Sequence, residues 1–156
     1  MSKWTDEFNK LKTEITENIT DKTVNFAKNF GSHLGKDDTK EKMKDGRPVI
    51  GKNGKPIQEI ANAKLTTNQL RKFFGEVKRQ QMNGYNKTDF VLLKPKLAYA
   101  VGRTKGTSKI KDFYEVLCIA IDTVEKQEHF KNFIKIFEAI VAYHKAAEEG
   151  KISDNN

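Results

Sequence analysis

Cysteine is almost absent. Cys118 stands alone in 156 residues, so no intramolecular disulfide can staple this fold. Set among Leu117, Ile119 and Ile121, it reads as a small buried apolar residue in a reducing compartment, not as a nucleophile. Long apolar runs are missing too. None approaches the ~20 residues a membrane-spanning helix needs, and the opening MSKWTDEFNK has no signal-peptide core. The chain is expected to be soluble and cytoplasmic. Histidine is scarce: His33, His129 and His144 make no HExxH, CxxC or HxxxH spacing, so no metal and no cofactor is expected. No phosphate-binding loop occurs, since GKNGK (51–55) is too short and lacks a strand-to-helix setting. Glu138 and His144 are six residues apart and do not face each other on a helix, and His144 reads as a satisfied core histidine. Nothing has the spacing of a nucleophile with its base or of an acid with its base. The chain is expected not to be an enzyme.

Acidic residues are missing from one third of the chain only. Residues 61–111 hold twelve Lys/Arg and two Asp/Glu, a net of +10, against +2 for residues 1–60 (twelve and ten) and −4 for residues 112–156 (five and nine). Solubility alone does not require acids to be so scarce locally. The segment points to a polyanionic partner, nucleic acid before membrane, because the basic helices carry no exposed Trp or Leu band.

Along the chain, Thr5 is placed to cap a helix beginning at Asp6, with Phe8, Leu11, Ile15 and Ile19 at helical spacing. Gly31 and Gly35 are expected to stop this helical region. KDDTKEKMK (36–44) reads as a charged, mobile segment. DGRPVIGKNGKPIQ (45–58) carries DG and NG turn signals and forms either a small hairpin or a structured loop. Thr66 and Gln69 stand in capping-box spacing. Behind them Leu70, Phe73, Phe74 and Val77 fill one face and Arg71, Lys72, Lys78 and Arg79 another. Gly75 sits between, either tolerated or admitting a close partner. NGYN (83–86) is a loop. Ser108 is placed to cap a helix with Ile110, Phe113, Tyr114, Leu117, Cys118, Ile121 and Val124 on one side. The last helix is expected from Lys126 to Glu149, ending before Gly150. Its Phe130, Phe133 and Phe137 read as core. Glu138, at the border of that face, is expected to pair across the bundle with Arg103, or else to meet solvent or Lys135.

The stretch LLKPKLAYAVGR (92–103) mixes core residues with Lys94, Lys96, Arg103 and a proline. Starting a helix at Pro95 removes the conflict, because a first-turn N–H has no intrahelical partner to lose. Leu93, Leu97, Ala100 and Val101 then share one side, and Lys96, Tyr99 and Arg103 a neighbouring one. That cation–aromatic–cation stripe suits a phosphate backbone with a base or ribose on the ring. The more economical reading of Tyr99 itself is core packing with the hydroxyl at the rim, while the cations snorkel outward.

Three blocks together, LTTNQLRKFFGEV (65–77), LLKPKLAYAVGR (92–103) and NFIKIFEAIVAYHKA (132–146), resemble the small helical subunit of type III-A CRISPR (Csm) effector complexes. The resemblance covers about 65–147; the first 60 residues match nothing in it, and the GRPVIGKNGKP loop is expected to be peculiar to this chain. It implies a non-catalytic RNA-binding scaffold of a prokaryotic antiviral ribonucleoprotein. Several copies would stack beside one another, facing the backbone subunits that hold the guide RNA and contacting target RNA, with a large cyclase/nuclease subunit in the same complex. The expected fold is all-α: a compact helical bundle (61–150) after an N-terminal extension with a helix and a charged, Gly/Pro-rich loop (1–60), and a tail at 151–156. The candidate RNA-binding residues are Arg71, Lys72, Lys78, Arg79, Lys94, Lys96, Arg103 and Lys105. A stand-alone basic nucleic-acid-binding protein is the main rival, and a hydrolase with an unrecognised site the other.

Overall fold

The computed structural model describes residues 2–151; residues 152–156 of the expected tail lie outside the described residues. The fold is mostly helical, with a small β-ribbon inserted between its second and third α-helices. Helix α1 (Lys3–Leu11) is capped by Ser2, whose hydroxyl accepts from Thr5 N. Thr5 is therefore inside the helix, not its cap, and is buried. A 3-10 turn (Lys12–Ile15) follows, and the chain breaks before α2 (Asp21–Leu34). The break is fastened by Glu14, which accepts from Thr20 N and from the Thr20 and Thr23 hydroxyls at 2.6–2.8 Å. Burial acts against the charged form, yet these hydrogen bonds hold the Glu14 carboxyl below its usual range.

Gly31 does not stop α2. It lies within the helix, where a Cβ would sit 2.7 Å from the Ile140 carbonyl oxygen and 2.8 Å from Tyr143 Cβ. Glycine here lets α2 lie directly against the last helix, α7 (Gln127–Glu148). Gly35 is the C-cap.

The charged stretch after α2 is paired backbone. Strand β1 (Asp38–Glu41) runs antiparallel to β4 (Gln58–Asn62), and β2 (Met43–Lys44) to β3 (Arg47–Pro48) across an Asp45–Gly46 turn. Asp45 (φ 54°) and Gly46 (φ 76°) both adopt the left-handed region that a tight hairpin turn of this twist needs. A second small hairpin joins Ile50 to Pro56. The three ladders meet where Lys42 N donates to Ile57 O, Ile57 N to Val49 O and Val49 N to Lys42 O, each at 2.8 Å.

Helix α3 (Thr67–Asn83) begins with the expected capping box, and Leu70, Phe73 and Val77 face inward. Helix α4 (Lys87–Val91), capped by Asn86, leads directly into α5 (Leu93–Arg103). The latter starts two residues before Pro95, which stays in the first turn where its missing N–H costs nothing. Helix α6 (Ile110–Thr123) has Ser108 Oγ accepting from Ile110 N. Cys118 is only half-buried, with burial pushing its thiol pKa up. One core cluster joins Phe8, Ile15, Phe26 and Phe30 from the N-terminal helices to Phe113, Phe133 and Phe137. His144 is buried beside it, its Nε2 2.6 Å from Leu65 O. Among the described residues no helix is long and apolar enough to cross a membrane.

Candidate nucleic-acid interface

Helices α3 and α5 leave an open groove of about 580 Å³ between them. Its floor is Phe73, Leu97 and Ala100; its walls are Asn68, Gln69, Lys72 and Glu76 from α3 and Lys96, Tyr99, Arg103 and Thr104 from α5. Most of the α3 contribution follows from helix geometry, since positions 68, 72 and 76 fall on one stripe at ~100° per residue.

Tyr99 is 68% exposed, not packed in the core. Helix α5 seats on α6 through Leu93 and Leu97, and Tyr99 lies ~120° round the helix from Leu93. The Arg103 guanidinium lies over its ring, 5.6 Å from the centroid. The cation–aromatic–cation stripe is thus presented to solvent on the groove wall.

At the inner end Glu76 gathers two cations. Its carboxylate accepts from Arg79 at 2.7 and 3.1 Å and from Lys96 at 2.9 Å. Those hydrogen bonds, Arg79 first, hold the Glu76 carboxyl down at about 2, so it is anionic at any physiological pH. Lys72 and Arg103 have no acidic partner among the described residues. The groove therefore keeps two uncommitted cations beside an aromatic ring and one, Lys96, committed to a carboxylate that Arg79 also binds from outside the lining.

The other expected residues are dispersed. Lys78 pairs with Glu138 and lies over the Phe74 ring, so Glu138 does not pair with Arg103. Phe74 stacks on Phe137 and draws that side of α3 against α7. Arg71 is exposed ~100° round the helix from Lys72. Lys94 reaches Asp122 on α6 at 2.6 Å, which raises the Lys94 pKa. Lys105 is exposed on the loop that leaves the groove. Lys109, one of the twelve cations of the basic segment, is not on the surface at all. It is 2% exposed and binds Asp38 at 2.9 Å and the His33 carbonyl at 2.8 Å, tying the root of the ribbon to the bundle. Asn68 and Gln69, the wall's neutral residues, are not among those the sequence marks for RNA; the 68–72–76 spacing is the signal that could have found Asn68. Among the described residues no three His, Cys, Asp or Glu gather as a metal would require.

A family model described as Csm2 Type III-A matches residues 43–150. The chain belongs to the Csm2 type III-A family. It is thus a small subunit of a type III-A CRISPR complex. The Csm2 match takes in α3 to α7 and begins inside the ribbon, so residues 43–60 with the GRPVIGKNGKP loop, expected to fall outside the resemblance, lie within it; α1 and α2 precede it. No curated protein and no solved structure matches the chain.

Proposed function

We propose that this chain is a non-catalytic RNA-binding subunit of its type III-A complex in antiviral defence. In this reading it stacks in several copies along the guide filament in the prokaryotic cytoplasm. It meets the guide-holding backbone subunits and the large cyclase/nuclease subunit, and it contacts target RNA through phosphates. The observation that carries the reading is the α3–α5 groove, where Lys72 and Arg103 stand uncommitted beside the exposed Tyr99 ring. Unpaired cations flanking an open aromatic face suit a sugar–phosphate strand with a base laid on the ring. Lys96 and Arg79 extend the positive wall, and Lys105 continues it beyond the end of α5. Family membership supports the setting, and the +10 segment supports the polyanion.

The test is the double charge reversal Lys72→Glu with Arg103→Glu, assembled into the complex. Target-RNA affinity should fall, and the log–log salt slope should flatten by about 1.4, two single-strand contacts at ~0.7 each. Unchanged affinity and slope in a normally assembled complex would refute the groove as the RNA path. A purified chain that stays monomeric and binds duplex DNA as tightly as single-stranded RNA would favour a stand-alone nucleic-acid-binding protein.

A further inference from the structure

The β-ribbon is two-faced, and its register shows how. Antiparallel partners point to the same side of a ladder, and successive residues to opposite sides. From the pairs Thr39–Ile60, Lys40–Glu59, Glu41–Gln58, Met43–Pro48, Lys44–Arg47 and Ile50–Pro56, one face collects Met43, Ile50 and Ile60, between 53% and 57% exposed. The other collects Lys40, Lys42, Lys44 and Arg47, all exposed, together with Glu59 opposite Lys40 and Ile57, 39% exposed, beside Lys42.

Three features of that basic face go beyond solvation. Lys44 and Arg47 stand directly opposite each other across a rung, an arrangement that destabilises an isolated ladder. Lys42, Lys44 and Arg47 have no acidic partner within 4 Å among the described residues; only Lys40 has one, Glu59 at 4.0 Å. The cations are also absent from the face that exposes Met43, Ile50 and Ile60, where charge kept for solubility would do most good. Along the strand Lys40, Lys42 and Lys44 recur every ~6.7 Å, close to two rise steps of a stacked strand at ~3.4 Å.

The ribbon is also aimed by its root. Ala63 N donates to Thr107 O at 2.9 Å and Lys109 N to Ala63 O at 2.8 Å, so the ribbon joins the bundle beside the loop that leaves the α3–α5 groove past Arg103 and Lys105. Buried Lys109 clamps Asp38 at the start of β1. The arm is a hydrogen-bonded projection held at one end, not a mobile tether.

We propose that the basic face of the ribbon, centred on Lys42, Lys44 and Arg47, is a second binding site for the phosphate backbone of single-stranded RNA, separate from the groove. It does not depend on the groove reading, because its cations belong to another element and can be removed without touching α3 or α5. The variant is Lys42→Gln, Lys44→Gln, Arg47→Gln in the full chain. None of these side chains enters the core, so helical circular dichroism and thermal midpoint should match the parent. Binding of a fluorescent uridine homopolymer RNA, by the purified chain and by the assembled complex, should weaken at least several-fold near 100 mM salt. The salt slope should flatten by about 2, three contacts at ~0.7 each. Adding the groove substitutions should subtract their own share of slope, and a groove variant without effect would leave the ribbon's loss intact. Full RNA affinity and slope in the purified ribbon variant would overturn the proposal. So would normal RNA binding by the isolated chain joined to failed assembly, which would make this face a protein contact.

Discussion

Glu76 is the residue whose substitution should move stability and RNA binding in opposite directions. Among the described residues it is the one carboxylate that lines the groove, and it holds both Arg79 and Lys96. A carboxyl lowered from 4.5 to about 2 corresponds to roughly 3 kcal/mol in an unscreened site. Arg79 and Lys96 are 50% and 55% exposed, however, and water and salt screen such pairs to a few tenths to 1 kcal/mol each. Glu76→Gln should therefore cost about 1 kcal/mol at pH 7, read by urea unfolding. The folded-state pKa is depressed, so this contribution is fully present above the unfolded value of 4.5 and disappears as pH falls through about 2. Parent and variant should converge in stability toward that pH. For RNA the sign reverses. Lys96 and Arg79 lose their internal anion and become available to a phosphate, so affinity should rise and the salt slope steepen by ~0.7 for each further phosphate neutralised. Unchanged or weaker RNA binding with an unaltered slope would refute the idea that Glu76 competes with phosphate for these two cations.

The glycines of α2 and α3 should respond oppositely. Gly31→Ala drives a methyl into the α7 backbone, 2.7 Å from Ile140 O, and should cost about 1–3 kcal/mol as overpacking does. A Cβ added at Gly75 would meet no described residue within 4 Å beyond its own turn of helix, and Gly75→Ala should stabilise by about 1 kcal/mol through helix propensity; thermal unfolding reads both. If Gly75→Ala also weakened RNA binding, close approach of a partner to that backbone would be the reason for the glycine. A double-mutant cycle between Lys78 and Glu138 should give a coupling of a few tenths to 1 kcal/mol, and the same cycle between Arg103 and Glu138 a value near zero. The reverse pattern would contradict the α3–α7 pairing.

Much of the fold was legible because its signals are local. Thr66 and Gln69 fix the start of α3 through their own side chains. Phe130, Phe133 and Phe137 mark the buried side of α7 by spacing alone, and the lone His144 could be read as a core residue on that side. The one-third of the chain poor in acid marked out, without any fold, the segment whose α3 and α5 line the groove. Errors of a few residues arose where neighbouring signals were equivalent: Ser2 and Thr5 both offer a capping hydroxyl, and α4 feeds α5 so closely that Pro95 did not have to be its first residue.

What the tertiary structure alone decided depends on how elements meet. KDDTKEKMK reads as unstructured because strands held by backbone hydrogen bonds and a buried lysine at the root bury no apolar stripe and leave no period-2 signal. Gly31 reads as a helix stop until α7 is seen to pass against it. Tyr99 could lie inward or outward on its helix wheel, and only the seating of Leu93 and Leu97 on α6 turned it out. The partner of Glu138 was set by the side of α3 that Phe74 presents to α7, which brought Lys78 and not Arg103 to the carboxylate. Sequence spacing orders side chains around one helix axis. Which of them share a groove is fixed by crossing angle and register between helices, and those follow from packing the whole core at once.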